Sequence, residues 1–163
     1  MGTGSGFNVG QFVVTNRHVV EGAGRIDLMS VKQENVPVAR WAIAPDDDLA
    51  LLEPGVPLTS ESVALASADP ISGDLVASVG FPLGGEMITR QARVLKRLYE
   101  QDYSQSYAIT TNASVQPGDS GGVLVNSKGE VVAVTTAIAL KDNVTVAVPV
   151  SRLHAMMSGA DFR

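Results

Sequence analysis

No cysteine occurs among the 163 residues. That absence excludes disulfides, a thiol nucleophile and thiolate zinc sites, while leaving the compartment open. Aromatic residues are scarce at 5%, so any core has to be built from aliphatic side chains. Positive charge is short as well: 12 Lys and Arg stand against 17 Asp and Glu, for a formal net charge of −5. Such a balance offers no electrostatic footprint for nucleic acid or an anionic membrane, and no nucleic-acid partner is expected. No apolar run approaches the ~20 residues of a membrane helix. The opening "MGTGSGF" has neither the basic region nor the hydrophobic stretch of a signal peptide.

What the chain does have is valine and alanine in short β-like runs closed by turn residues. The runs are "QFVVTN", "RIDLMSV", "VPVARWAIA", "DLALLEP", "DLVASVGFP", "TRQARVLKRL", "SYAITTNA", "GGVLVN", "EVVAVTTAIAL" and "VTVAVPV". Many close-spaced strands without intervening helical periods indicate an all-β barrel or sandwich, and the length suits one domain. "NSKGE" reads as a tight hairpin with Gly129 at positive φ. Two places invite a helix. "NRHVVEGA" has room for one turn, and the tail "SRLHAMMSGADFR" starts with Ser151 as N-cap and buries Leu153, Met156 and Met157. The small, polar stretch "VPLTSESVALASADPISG" reads as a crossover between two halves.

Chemistry concentrates in "QPGDSGG", Gln116 to Gly122. Three glycines make poor helix or strand interior, but they suit a turn that aims backbone N–H groups at one spot. The amides of Gly118 and Ser120 are positioned to serve a developing oxyanion, while Gly121 and Gly122 keep side chains away from a substrate. A plain "PGD" turn explains Pro117 and Gly118 but leaves the Ser-Gly-Gly tail without a reason. A serine needs a base, usually a histidine held by a carboxylate. His18, in "VVTNRHVV", and His154, in the tail, are the two histidines; each also has a bland reading, partly buried structural and exposed surface respectively. In "PDDDLALLE", Asp48 opens the apolar run, so it is the aspartate to be drawn inward, its neighbours facing the turn. A buried carboxylate is costly unless a partner such as an imidazole N–H needs it. The three aspartates lack further oxygen ligands for a metal, and no metal or cofactor is expected.

"GSGF", "VTNRHVV", "DLALL", "VGFPLGG", "TNASVQPGDSGGVLVNSKGEVVAV" and "AVPV", in that order, make the chain resemble a trypsin-like serine protease, and more closely the HtrA/Deg-type branch. The resemblance spans nearly the whole chain. It implies two perpendicular six-stranded antiparallel β-barrels, the first over residues 1–68 and the second over 69–150, with a short C-terminal helix or tail over 151–163; the branch commonly carries a PDZ domain after the protease, and none is expected in this chain. It implies His18 as general base and acid, Asp48 as its orienting group, and Ser120 as nucleophile. It further implies that the backbone amides of Gly118, Asp119 and Ser120, chiefly the first and last, form the oxyanion hole. It also places Ser114, Thr136, Ala137 and Ile138 at the substrate pocket. One departure is Asp119, where the branch often has asparagine.

The expected activity is therefore serine endopeptidase hydrolysis of unfolded or extended polypeptides through an acyl-enzyme. The resemblance favours a role in protein quality control in the periplasm or cell envelope, and it admits a homo-oligomer. The alternative is a proteolytically silent or latent module of the same fold that binds peptides as a holdase. An esterase would show a "GxSxG" elbow and the order Ser, acid, His, neither of which occurs. "GTGSGF" resembles a dinucleotide loop only superficially, since no strand precedes it and no helix follows.

Overall fold

The computed structural model describes residues 2–32, 34–59, 62–81, 85–99, 106–113, 118–139 and 144–159. In the first part of the chain, short runs rich in apolar residues give five antiparallel strands: β1 (Phe7–Val9), β2 (Phe12–Thr15), β3 (Asp27–Met29), β4 (Asn35–Ile43) and β5 (Ala50–Pro54). They form one sheet in the order β1-β2-β5-β4-β3. Six further strands follow: β6 (Leu75–Gly80), β7 (Ile88–Tyr99), β8 (Ser106–Thr111), β9 (Val123–Val125), β10 (Val131–Ala139) and β11 (Val144–Pro149). These close into a barrel in the order β10-β11-β8-β7-β6-β9, β9 pairing back to β10.

Each of the ten β-like runs carries a strand, and the architecture is the expected trypsin-like one with two differences. Strand β1 arises from "FNV", a stretch outside the ten β-like runs. The first sheet is a five-stranded half-barrel among the described residues, whereas six closed strands were expected. Its edges, β1 and β3, are three residues each, which leaves few backbone groups with which to close a ring.

The cores explain the scarcity of aromatics. The closed barrel is filled by Val76, Ala92, Val94, Ile109, Leu124, Ala133 and Ala147, small side chains that fit a narrow interior. A second cluster joins the halves, packing Phe7, Val14, Leu49 and Leu51 against Val123, Val131, Val134, Val148 and Leu153. The crossover segment is stitched to both sheets, Val63 N–H donating to Asn8 O at 2.8 Å and Ala66 N–H to Val131 O at 2.9 Å.

Helix α1 (Arg17–Val20) is the single turn expected after β2, and α2 (Val150–Gly159) is the expected tail helix. Leu153 is fully buried and Met156 and Met157 pack partly against the core. Ser151 does not cap α2. The helix starts one residue earlier, and Ser151 donates its N–H and hydroxyl to Asp69, at 2.8 and 2.6 Å. A carboxylate from the crossover is a stronger acceptor for the first-turn amides than a serine hydroxyl. The "NSKGE" hairpin forms with Gly129 at φ 77°.

Candidate active site

Strand pairing brings the first two candidate groups together. β2 and β5 run antiparallel with Thr15 opposite Ala50, so α1, just past the end of β2, sits beside the residues that lead into β5. His18 lies on α1 and Asp48 two residues before β5. Asp48 is clamped at every acceptor. Its Oδ1 takes the His18 backbone N–H at 2.8 Å, its Oδ2 lies 2.6 Å from His18 Nδ1, and its backbone oxygen takes the buried Asn16 amide at 2.9 Å. The pair is accessible: His18 is 49% exposed and Asp48 29%.

Of the two neighbouring aspartates, Asp47 departs from expectation. Asp46 is exposed, but Asp47, at 14%, is more buried than Asp48 and lies 2.9 Å from Arg152 Nε of α2. Arg17 donates to the carbonyls of Ala44 and Pro45, 3.2 Å each. Two arginines therefore hold the acidic turn from outside while His18 holds it from inside.

Ser120 reaches this cluster through Thr136. In β10 the pairing with β11 slips between Thr135 and Ala137, so Thr136 is the extra residue of a bulge, the device that re-aims a side chain out of a ladder. Its hydroxyl donates to Asp48 Oδ2, and its carbonyl accepts the Ser120 hydroxyl at 3.1 Å. Among the described residues Ser120 and His18 share no hydrogen bond; Thr136 links them. Thr136 was expected at the substrate pocket, and its tie to the acid had no sequence signal.

The loop that carries Ser120 is held by its own backbone. Gly121 N–H donates to Thr135 O at 2.8 Å and Gly122 N–H to Asp119 O at 2.9 Å. Nothing among the described residues accepts from the Gly118 and Ser120 amides. The roles expected of Gly121 and Gly122 need correction. Gly121 has φ 90°, and a Cβ there would collide with Ser5 O and Thr15 Oγ1; at Gly122 it would collide with Val79 O. These glycines make room for the protein's own chain, not for a substrate.

Asp119, between the two amides, is 3% exposed and lies 3.2 Å from Arg90 Nη1 of β7. Of the expected pocket residues, Ser114 lies outside the described residues. Ala137 and Ile138 follow the bulge on β10, opposite Val146 and Thr145.

Comparison with known proteins follows this geometry. The family model for a trypsin-like peptidase domain matches residues 2–134. The chain is 32% identical over 136 residues to the periplasmic serine endoprotease DegP of Escherichia coli K12, covering 80% of this chain and 28% of that protein. It thus spans under a third of the length of such relatives. The active form of the Rv3671c protease from M. tuberculosis superposes with a TM-score of 0.85 at 24% identity, over 97% of this chain and 74% of that one; that likeness speaks for the fold. The HtrA-type protease AlgW with a decapeptide gives 0.83 at 27%, over 95% of this chain and 50% of that one.

The Asp119–Arg90 pair yields a stability prediction. Arg90→Met removes the guanidinium beside a buried carboxylate and lowers unfolding free energy by about 3 kcal/mol. Adding Asp119→Asn to that variant recovers most of the loss. Urea denaturation of the two single variants and the double variant checks this, and simple additivity of the two losses contradicts it.

Proposed function

Because the chain belongs to the trypsin-like peptidase family, we propose that it is a serine endopeptidase in which Ser120 attacks, His18 moves the proton and Asp48 orients His18. One observation carries this reading: the unbroken path from His18 Nδ1 to Asp48, to the Thr136 hydroxyl, and through the Thr136 carbonyl to Ser120. With Asp48 accepting from Nδ1–H, the Nε2 lone pair is the one left for a serine proton. Ser120 turns from the Thr136 carbonyl to Nε2. As Oγ bonds the substrate carbonyl carbon, its proton passes to the imidazole. The imidazolium gives that proton to the departing amine, leaving an ester on Ser120. Water then attacks the ester while Nε2 takes its proton and returns one to Oγ. The Gly118 and Ser120 amides stabilise the oxyanion in both steps.

The substrate is an unfolded or extended polypeptide. β9 accompanies β10 only as far as Val134, while β11 continues to Ala139. Thr135 pairs with Gly121 and Gly122; beyond it, on the side of Ser120, β10 offers an edge to which an extended chain adds by backbone pairing, and a folded protein has no free strand to add. "ASV" and "AVTTAIAL" contain no carboxylate, so a Lys or Arg side chain before the scissile bond finds no partner, and small aliphatic residues are favoured. From the periplasmic relatives we place this work in the periplasm or cell envelope.

A second reading has its own observation. In the structure the Ser120 hydroxyl is given to a carbonyl rather than to His18, as expected of a silent or latent peptide-binding module. A fluorophosphonate probe separates the two. An adduct that maps to Ser120 and vanishes in Ser120→Ala, together with casein cleavage lost in the same variant, supports the peptidase; peptide binding without any adduct supports the latent module.

Asparagine substitutions at the three aspartates give distinct outcomes. Asp48→Asn lowers kcat by roughly 10³ to 10⁴, and Asp46→Asn leaves it unchanged. Asp47→Asn loses the Arg152 pair, lowering Tm first and kcat only a few-fold. Equal losses of kcat at all three contradict the assignment.

Cleavage-site mapping by mass spectrometry on a denatured protein mixture tests the pocket. Val, Ala, Thr and Leu are expected before the scissile bond. A tenfold preference for Lys or Arg, about 1.4 kcal/mol, overturns the pocket argument while leaving the nucleophile assignment standing.

A further inference from the structure

The "GSGF" segment near the start of the chain has no part in the proton path, yet its serine is built into the nucleophile loop. Ser5 is 5% exposed and engages every polar atom it has. Its N–H donates to Ser120 O at 2.7 Å, and its hydroxyl donates to Gly118 O at 2.7 Å. That same hydroxyl accepts from Phe81 N–H at 2.9 Å, and its carbonyl accepts from the Thr15 hydroxyl at 2.7 Å. One residue thus ties the end of β2, the residue after β6 and the nucleophile loop.

The two carbonyls it holds are significant because peptide units are rigid planes. Gly118 O belongs to the 118–119 peptide and Ser120 O to the 120–121 peptide. The peptide that carries the Ser120 N–H lies between them, so pinning both neighbours restricts its rotation. The fit is close on each side. A Cβ on Gly4 would stand 2.7 Å from Val19 Cγ1, and one on Gly6 would stand 2.9 Å from Val14 O. A Cβ on Gly121 would meet Ser5 O itself. Glycine on both sides of Ser5 lets the strap lie this near the loop, and serine supplies a donor and an acceptor within a side chain short enough to fit.

We propose that Ser5 is a positioning residue for the nucleophile loop, holding the Gly118 and Ser120 carbonyls so that the Ser120 amide and hydroxyl stay aimed at the substrate carbonyl. The inference rests on the reading of Ser120 as nucleophile. Ser5→Ala removes the hydroxyl and leaves the part-buried Gly118 carbonyl and Phe81 N–H without it. Nothing in the His18–Asp48 pair touches Ser5, so the pH dependence reports separately on that pair.

The test is made on the full chain in two arms. In the first, Ser5→Ala is compared with wild type on a peptide substrate well below the Tm of both. The expected result is kcat lower by 10- to 100-fold, KM within about twofold, and the acid limb of the pH–rate profile unmoved. An unchanged kcat, or a loss confined to KM, overturns the proposal. The second arm needs no activity: hydrogen exchange by mass spectrometry in a Ser120→Ala background, with and without Ser5→Ala. Protection is expected to fall at least tenfold in the peptide spanning 118–122 while β7, β8 and β11 keep theirs. A uniform loss across the chain overturns the positioning role. Should wild type prove inactive, the peptidase reading fails while this arm still decides the strap. If Ser5→Ala does not fold, Thr15→Val, which frees the Ser5 carbonyl alone, takes its place. A fall in kcat of about threefold at constant KM supports the strap, and no fall overturns it.

Discussion

The carboxylate of Asp48 accepts hydrogen bonds from both halves of the chain, and the site is organised around it. From the half-barrel come the His18 backbone N–H and ring Nδ1; from the closed barrel comes the Thr136 hydroxyl. A partly buried charge is tolerable only when its lone pairs are used, and here that requirement joins two sheets with separate interiors. The apolar cluster shared by Val14, Leu49 and Leu51 with Val123, Val134 and Val148 holds the halves at the separation these bonds need. Dispersion sets the distance, and the carboxylate sets the register.

Beside that carboxylate the nucleophile loop meets a second constraint, close packing. Gly121 and Gly122 approach Ser5 O, Thr15 and Val79 O more nearly than a Cβ permits, and the Asp119 side chain fills the space above Gly80. A loop packed this tightly has few alternative conformations, because interiors deform little. Arg90 compensates the buried Asp119 charge, a role that the asparagine often found there in the HtrA/Deg branch does not require. On the proposed reading the two constraints divide the labour: Asp48 aligns the proton-moving side, and the strap and the Asp119–Arg90 pair align the backbone side.

Much of the strand content was legible because short runs rich in valine, leucine and alanine, closed by turn residues, are a local signal, and each of the ten carries a strand. Gly129 was legible for the same reason, a turn type being encoded in four or five residues. His18, Asp48 and Ser120 stood out by residue type and order. The Thr136 bulge did not, since nothing in "AVTTAIAL" distinguishes the threonine that leaves the ladder from the one that stays; the slip is set by pairing with β11. Ser151 was misread because its acceptor, Asp69, is 82 residues away. Asp47 was expected to face the turn because Arg152, which draws it inward, lies on α2. Ser5 was visible only as a serine between glycines, a pattern shared with phosphate loops, and its partners come from three separate stretches of chain.

The resting hydrogen bond of Ser120 to the Thr136 carbonyl is a matter of magnitude. A neutral hydrogen bond contributes about 1 kcal/mol net, so moving the hydroxyl to His18 costs at most that much before the new bond offsets it. Acyl transfer requires barrier reductions of about 8 kcal/mol or more; the resting arrangement therefore alters the rate by less than tenfold. A misaimed loop amide is a larger matter, because removing one oxyanion donor costs 10²- to 10³-fold. On the proposed reading, latency is therefore a matter of the peptides at Gly118 and Ser120 and of what holds them, and hardly at all of the rotamer of the serine hydroxyl.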